Sequence, residues 1–139
     1  MIVHAGLVAL REAGLWRGCL ITGPSGSGKS DLALRCLEAG FRLVADDRVV
    51  LWTSAGQLFG KAPERLFGLI EARGLGVMTE PALPFAPVRL VAAAATDPER
   101  IPPEGERDSL LGHSIAKVSL DFLQLSAPAK LRRALLHLG

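Results

Sequence analysis

The stretch Gly23-Pro24-Ser25-Gly26-Ser27-Gly28-Lys29-Ser30 constrains this chain more than any other. It follows an apolar run, Gly18-Cys19-Leu20-Ile21-Thr22, and leads into Asp31-Leu32-Ala33-Leu34-Arg35-Cys36-Leu37. Strand, glycine-rich turn and helix therefore follow one another, with every fixed position of G-x-x-x-x-G-K-[ST] filled. The glycines let the backbone bend so that successive N–H groups converge on an anion, and the helix start adds partial positive charge. Lys29 is placed to reach the β- and γ-phosphates of a nucleotide, and the Ser30 hydroxyl to take a Mg²⁺ position. The expectation is an α/β chain with a nucleotide-phosphate site.

A length of 139 residues suits one domain, 1–139, with a core of its own. Hydrophobic residues at 49% against charged residues at 22% favour folding over disorder. A net charge of +2 is too small to argue for nucleic acid, and no Lys/Arg block with interleaved aromatics supports it. Cys19 and Cys36 fit no metal or redox spacing and read as small core residues. With no leader pattern and no apolar run long enough for a membrane span, a cytoplasmic protein is expected.

Ile2 to Leu10 reads as a first strand carrying His4, and Arg11 to Gly14 as a turn. The helix after Lys29 places Leu32, Cys36 and Ala39 on one face and stops at Gly40. Phe41 to Ala45 is a short strand running into Asp46-Asp47. Val49–Trp52 and Gln57–Gly60 suggest a hairpin around Ser54-Ala55-Gly56. In Gly68 to Gly76, Glu71 and Arg73 sit two apart, which strand geometry places on one face. Pro81 to Pro87 reads as an irregular connection, Pro87 to Ala94 as a buried strand and Asp97 to Arg107 as a mobile surface loop. Lys117 to Asp121 is a last strand. Ser126 then caps a terminal helix whose Leu131, Leu135 and Leu138 share a face.

Two adjacent acids at the end of a strand, Asp46-Asp47, suit one carboxylate near a metal and another acting as base toward a hydroxyl. The same pair also reads as a solvated turn after a strand. A lone His4 in a strand is more often structural than functional.

These residues resemble, in the same order, the catalytic domain of HPr kinase/phosphorylase. The resemblance is carried by His4, the phosphate loop, Gly40-Phe41-Arg42-Leu43-Val44-Ala45-Asp46-Asp47 and Ile70-Glu71-Ala72-Arg73-Gly74-Leu75-Gly76. It implies a P-loop fold of the HPr kinase and phosphoenolpyruvate carboxykinase type, with a mixed sheet and few helices. It also implies an ATP- and Mg²⁺-dependent serine kinase acting on HPr, a carrier protein of the phosphotransferase system. On this resemblance Gly23 to Ser30 bind nucleotide, and Asp47 accepts the serine proton. Ser30 and Glu71 hold the metal with Asp46 beside them, and His4 and Arg100 complete the active site.

Three features depart from the family pattern. The chain starts at the catalytic domain, without the usual N-terminal domain. The basic segment tied to phosphorolysis is replaced by Lys117-Val118-Ser119-Leu120-Asp121, so phosphorylase activity is expected to be weak. A short helix within about 122–139 stands where the family has longer helices, although a homo-oligomer stays compatible with this reading. Two alternatives stay open: a P-loop kinase for a small metabolite, and a non-catalytic nucleotide-binding regulatory module.

Overall fold

The computed structural model describes residues 1–97 and 105–139. Its centre is a mixed sheet of nine strands. The phosphate-loop strand β3 (Leu15–Thr22) is flanked on one side by antiparallel β2 (Gly6–Glu12), which itself pairs with β4 (Arg42–Ala45). On its other side lies β9 (Ala86–Ala94), parallel to it. The opposite edge of β9 is shared between two strands. Antiparallel β6 (Gln57–Lys61) takes its first residues, and parallel β11 (His113–Leu120) takes Leu90 to Ala94.

β6 continues outward to β5 (Val49–Ser54) and then to β1 (Ile2–Val3). β10 (Arg107–Leu110) closes a hairpin with β11, and β7 (Leu69–Ala72) with β8 (Gly76–Thr79) forms a separate two-stranded sheet. Helices α1 (Lys29–Glu38) and α2 (Ala127–Leu138) complete the fold.

Strand alternation decides which side each residue serves. Val8, Leu10, Cys19, Ile21, Leu90 and Ala92 pack beneath the helices against Leu32, Cys36, Leu131 and Leu135. Their neighbours Leu7, Ala9, Leu20 and Val91 form a second core with Val49, Leu51 and Leu58, where the sheet curls onto β5 and β6. Each fully buried leucine contributes roughly 1.5–3 kcal/mol. Close approach sets the glycines between these layers. A Cβ at Gly18 would stand 2.5 Å from the Pro87 carbonyl oxygen, so glycine lets β3 and β9 reach sheet spacing. Both cysteines are free and buried. Burial pushes the Cys36 thiol up to about 12 and raises that of Cys19 as well, so both serve as packing residues.

Several expectations shift. The apolar run Ile2 to Leu10 is not one strand: it breaks at His4, sending β1 to β5 and β2 to β3 and β4. The following turn is tighter than Arg11 to Gly14, since β2 runs through Glu12 and only Ala13 and Gly14 take positive φ. Ala39 lies past the end of α1 and is exposed, as is Leu138 on α2, leaving Leu131 and Leu135 as the buried pair. Ser126 stands at the N-cap of α2 without a side-chain bond, and α2 begins only at Ala127. The final strand starts at His113 rather than Lys117 because it is the second arm of a hairpin with β10. Arg107 therefore belongs to a strand, while residues 98–104 of the expected loop lie outside the described residues.

Candidate active site

Parallel β3, β9 and β11 end together: Thr22 pairs with Ala93, which in turn pairs with Ser119. Ligands of α/β sheets bind outside such carboxyl ends. The loop from Gly23 to Gly28 occupies that place, with Gly26 and Gly28 at φ 81° and 95°, in the left-handed region that favours glycine. A Cβ at Gly23 would stand 2.7 Å from Ser27 Oγ and 2.8 Å from Ala94 Cβ, so the loop closes tightly on the sheet. Ser27 Oγ is buried there without a hydrogen-bond partner among the described residues. Lys29 Nζ donates to the carbonyls of Gly23 (2.7 Å) and Pro24 (3.0 Å), which fixes the ammonium along the loop.

The two adjacent acids are used differently. Asp46 is 6% exposed, and both of its oxygens are occupied. Ser30 Oγ donates to Oδ1 at 2.8 Å, and the backbone N–H of Glu71 donates to Oδ2 at 3.0 Å. One buried carboxylate therefore ties α1 to β7 and orients the Ser30 hydroxyl, whose lone pairs stay available. Asp47 is exposed and takes φ 70°. The Arg48 N–H donates to the Asp46 carbonyl at 2.8 Å, so Asp47 stands at the apex of a three-residue turn. Such turns are rare and strained, and backbone strain of this kind clusters at functional sites.

His4, at the break between β1 and β2, places Nδ1 3.9 Å from Asp47 Oδ1. Arg48 Nη1 lies 3.5 Å from Asp47 Oδ2 and 2.9 Å from His4 Nδ1. Arg48 Nη1 also contacts His4 Nε2, more closely than Nδ1. A guanidinium can only donate, so Nε2 accepts and Nδ1 is left to carry the ring proton on the side of Asp47. The exposed carboxylate is thereby held between a histidine and an arginine.

A cleft of about 350 Å³ joins His4, Ser25, Lys29, Ser30, Asp46, Asp47, Glu71 and Arg73. Gly26 and Gly28 complete its loop side. Glu71 and Arg73 both face it, though Arg73 does so from the turn after β7 rather than from the strand. Arg100 lies outside the described residues. Four participants carried no signal in the sequence. Arg48 meets His4 only through folding, Asp31 and Leu34 read as ordinary helix residues, and Leu123 lies in a segment without periodicity.

The donor set suits Mg²⁺ better than a metal held by protein alone. Among the described residues no group of three or more His, Cys, Asp or Glu could hold a metal ion. A hydroxyl and one or two carboxylates, completed by substrate phosphates, is the set Mg²⁺ commonly takes. The residues present fit that group. No helix among the described residues is long and apolar enough to cross a membrane.

Comparisons with known proteins point to one family. The family described as HPr Serine kinase C-terminal domain matches residues 1–83. HPr kinase/phosphorylase of Clostridium perfringens (strain 13 / Type A) is 48% identical over 66 residues, which cover 48% of this chain and 22% of that protein. The Clostridium acetobutylicum protein of the same name is 48% identical over 81 residues, covering 58% of this chain and 25% of its own. The matched region thus spans about a quarter of the length of these relatives. The structure of the Hpr(Ser) kinase/phosphatase from Coxiella burnetii superposes with a TM-score of 0.78 at 25% identity. That superposition covers 98% of this chain and 88% of the other. The mixed α/β architecture with few helices expected from the sequence is the one observed.

Proposed function

The chain belongs to the HPr Serine kinase C-terminal domain family, and from that membership we propose that residues 1–139 form a catalytic unit transferring the γ-phosphoryl group of ATP to a serine of HPr. The single observation that carries this reading is Asp47. Nucleotide binding alone gives no reason to hold an exposed carboxylate at φ 70° on the lip of the phosphate-loop cleft, between His4 and Arg48. That feature also favours an enzyme over a non-catalytic binding module.

In this mechanism the loop amides and Lys29 bind the phosphates. Ser30, oriented by Asp46, and Glu71 would hold Mg²⁺, which when bound supplies Lewis-acid stabilisation of phosphoryl charge. Asp47 takes the proton of the seryl hydroxyl as its oxygen bonds to the γ-phosphorus, and the bond to the ADP oxygen breaks in line. His4 and Arg48 orient the Asp47 carboxylate. The protein works in the cytoplasm, where HPr and ATP are found together.

The direct test is incubation with labelled ATP, Mg²⁺ and HPr, followed by phosphosite mapping. Label on a serine of HPr is expected. Label only on a small metabolite would instead select the metabolite-kinase alternative. Glu71→Gln removes one charged oxygen, so the Mg²⁺ concentration for half-maximal rate is expected to rise about tenfold. A magnesium titration with unchanged half-maximum would remove Glu71 from the metal site.

Phosphorolysis is expected to be weak. It brings inorganic phosphate beside a phosphoserine, and like charges a few ångströms apart repel by several kcal/mol at an effective dielectric of about 20. Among the described residues the cleft offers Lys29 and Arg73 as full cations, whereas Lys117 lies on β11 and does not line it. With seryl-phosphorylated HPr and millimolar phosphate, pyrophosphate release should run below about a tenth of the forward rate. Release at the forward rate would show that other cations supply the charge.

A further inference from the structure

The described lining of the cleft is polar or glycine except for two leucines, Leu34 and Leu123. Leu34 lies one helical turn beyond Ser30 on α1. Leu123 is 75% exposed, on the turn that joins β11 to α2. Its neighbours on both sides fix where it sits. Phe122 beside it is fully buried, and a Cβ at Gly28 would stand 3.3 Å from Leu123 Cδ2, so Leu123 abuts the last residue of the phosphate loop.

The turn is also clamped. Arg35 of α1 donates to the carbonyls of Phe122 and of Gln124, the latter at 3.0 Å, while its Nε meets Asp31 Oδ2 at 3.0 Å. The N–H groups of Leu123 and Gln124 return to Asp121, and the Gln124 side chain accepts from Lys130. The protein thus holds bare apolar surface next to the phosphate loop, with the backbone polar groups of that turn bonded within the protein.

We propose that Leu34 and Leu123 form the wall against which the nucleobase lies, and that this wall selects a flat ring without distinguishing adenine from guanine. The inference rests on the phosphate loop being the nucleotide site, and it names the nucleotide specificity of that site. Adenine and guanine differ in the donors and acceptors on their edges. Strong discrimination needs a site built to hydrogen-bond those edges, whereas apolar contact separates similar ligands only weakly. Here the carbonyls of Phe122 and Gln124 and the N–H groups of Leu123 and Gln124 are already engaged. Asp31 gives Oδ2 to Arg35, and its other oxygen is an acceptor that the amino group of either purine can meet. The wall offers shape and apolar area.

The test is calorimetric titration of the full chain with MgATP, MgGTP and inorganic triphosphate, repeated on Leu123→Ala. The wild-type protein should bind MgATP and MgGTP within about fivefold of each other. Leu123→Ala should weaken both by about five- to tenfold, through lost apolar contact, and leave inorganic triphosphate unchanged. Because Leu123 is mostly exposed, the variant keeps its fold, and an unchanged circular dichroism spectrum checks this. Leu123→Phe enlarges the wall and should restore or tighten both nucleotides. A preference for one base above about a hundredfold overturns the proposal. So does an equal loss for inorganic triphosphate, which would make Leu123 a prop for the loop, or no loss at all for the nucleotides. Failure of every phosphate ligand to bind overturns the phosphate-loop reading itself, a result distinct from those three.

Discussion

Lys29→Ala is expected to lower phosphoryl transfer by at least about two to three orders of magnitude while the protein stays folded. The ammonium lies along the loop, bonded to the carbonyls of Gly23 and Pro24, where its charge acts on the phosphates held by the same loop. Its removal takes a full positive charge from a site whose task is to stabilise developing negative charge. The freed carbonyls lie beside the exposed loop residues Pro24, Ser25 and Gly26, so water replaces the lost bonds at little cost in stability. Transfer from labelled ATP and circular dichroism on the same sample give the two readouts. Unchanged turnover in a folded variant would end the phosphate-loop assignment.

Asp47→Asn should show a different pattern of loss. Asparagine is among the few residues that tolerate φ 70°, so the turn between Asp46 and Arg48 survives. An amide cannot accept the hydroxyl proton, and the rate should fall about 10²- to 10⁴-fold. Nucleotide binding should persist, because Lys29, Ser30 and Asp46 are untouched. Alanine is a poorer probe, since a Cβ without a polar group at this φ adds roughly 1–2 kcal/mol of strain and confounds chemistry with relaxation. Single-turnover rates set beside nucleotide affinities decide the matter. Parallel loss of both would reduce Asp47 to a binding residue.

Legibility of this fold in the sequence followed local pattern. The phosphate loop, the strand running into Asp46-Asp47 and the hairpin of β5 and β6 each combine apolar runs with turn residues at short range, and the structure has all three. β8 left no such trace, because Gly76 to Thr79 is exposed throughout and shows no alternation. β10 is equally mute: Arg107-Asp108-Ser109 is polar, and the Leu111-Gly112 turn lacks the Asn or Asp that advertises a hairpin. Conversely, the run Ile2 to Leu10 looked continuous, since its break at His4 is imposed by two different partner strands rather than by local chemistry.

The candidate site divides in the same way. Lys29, Ser30, Asp46, Asp47 and Glu71 were visible as motif residues, and they line one cleft with His4. That Asp46 spends both oxygens on Ser30 and the Glu71 backbone could not be read, because one partner lies far along the chain. Arg48 and Leu123 were hidden for that reason too. Each acquires its neighbour only when distant segments meet.

The position of β9 bears on the order in which the molecule can assemble. It fills the slot between β6 and β3, and its register joins Leu90 to Cys19, far apart in the chain. Residues 1–83, which carry the family match, leave that slot open, with the Leu20 face and the Leu58 face facing a gap. The phosphate-loop strand can pair early with β2 across a two-residue turn, but closing the sheet waits for a long loop to be brought home. Non-local parallel pairing of this kind is slow. On a nascent chain the recognisable motif is therefore synthesised long before it can be held in shape, and the late, least recognisable third of the polypeptide acts as the keystone.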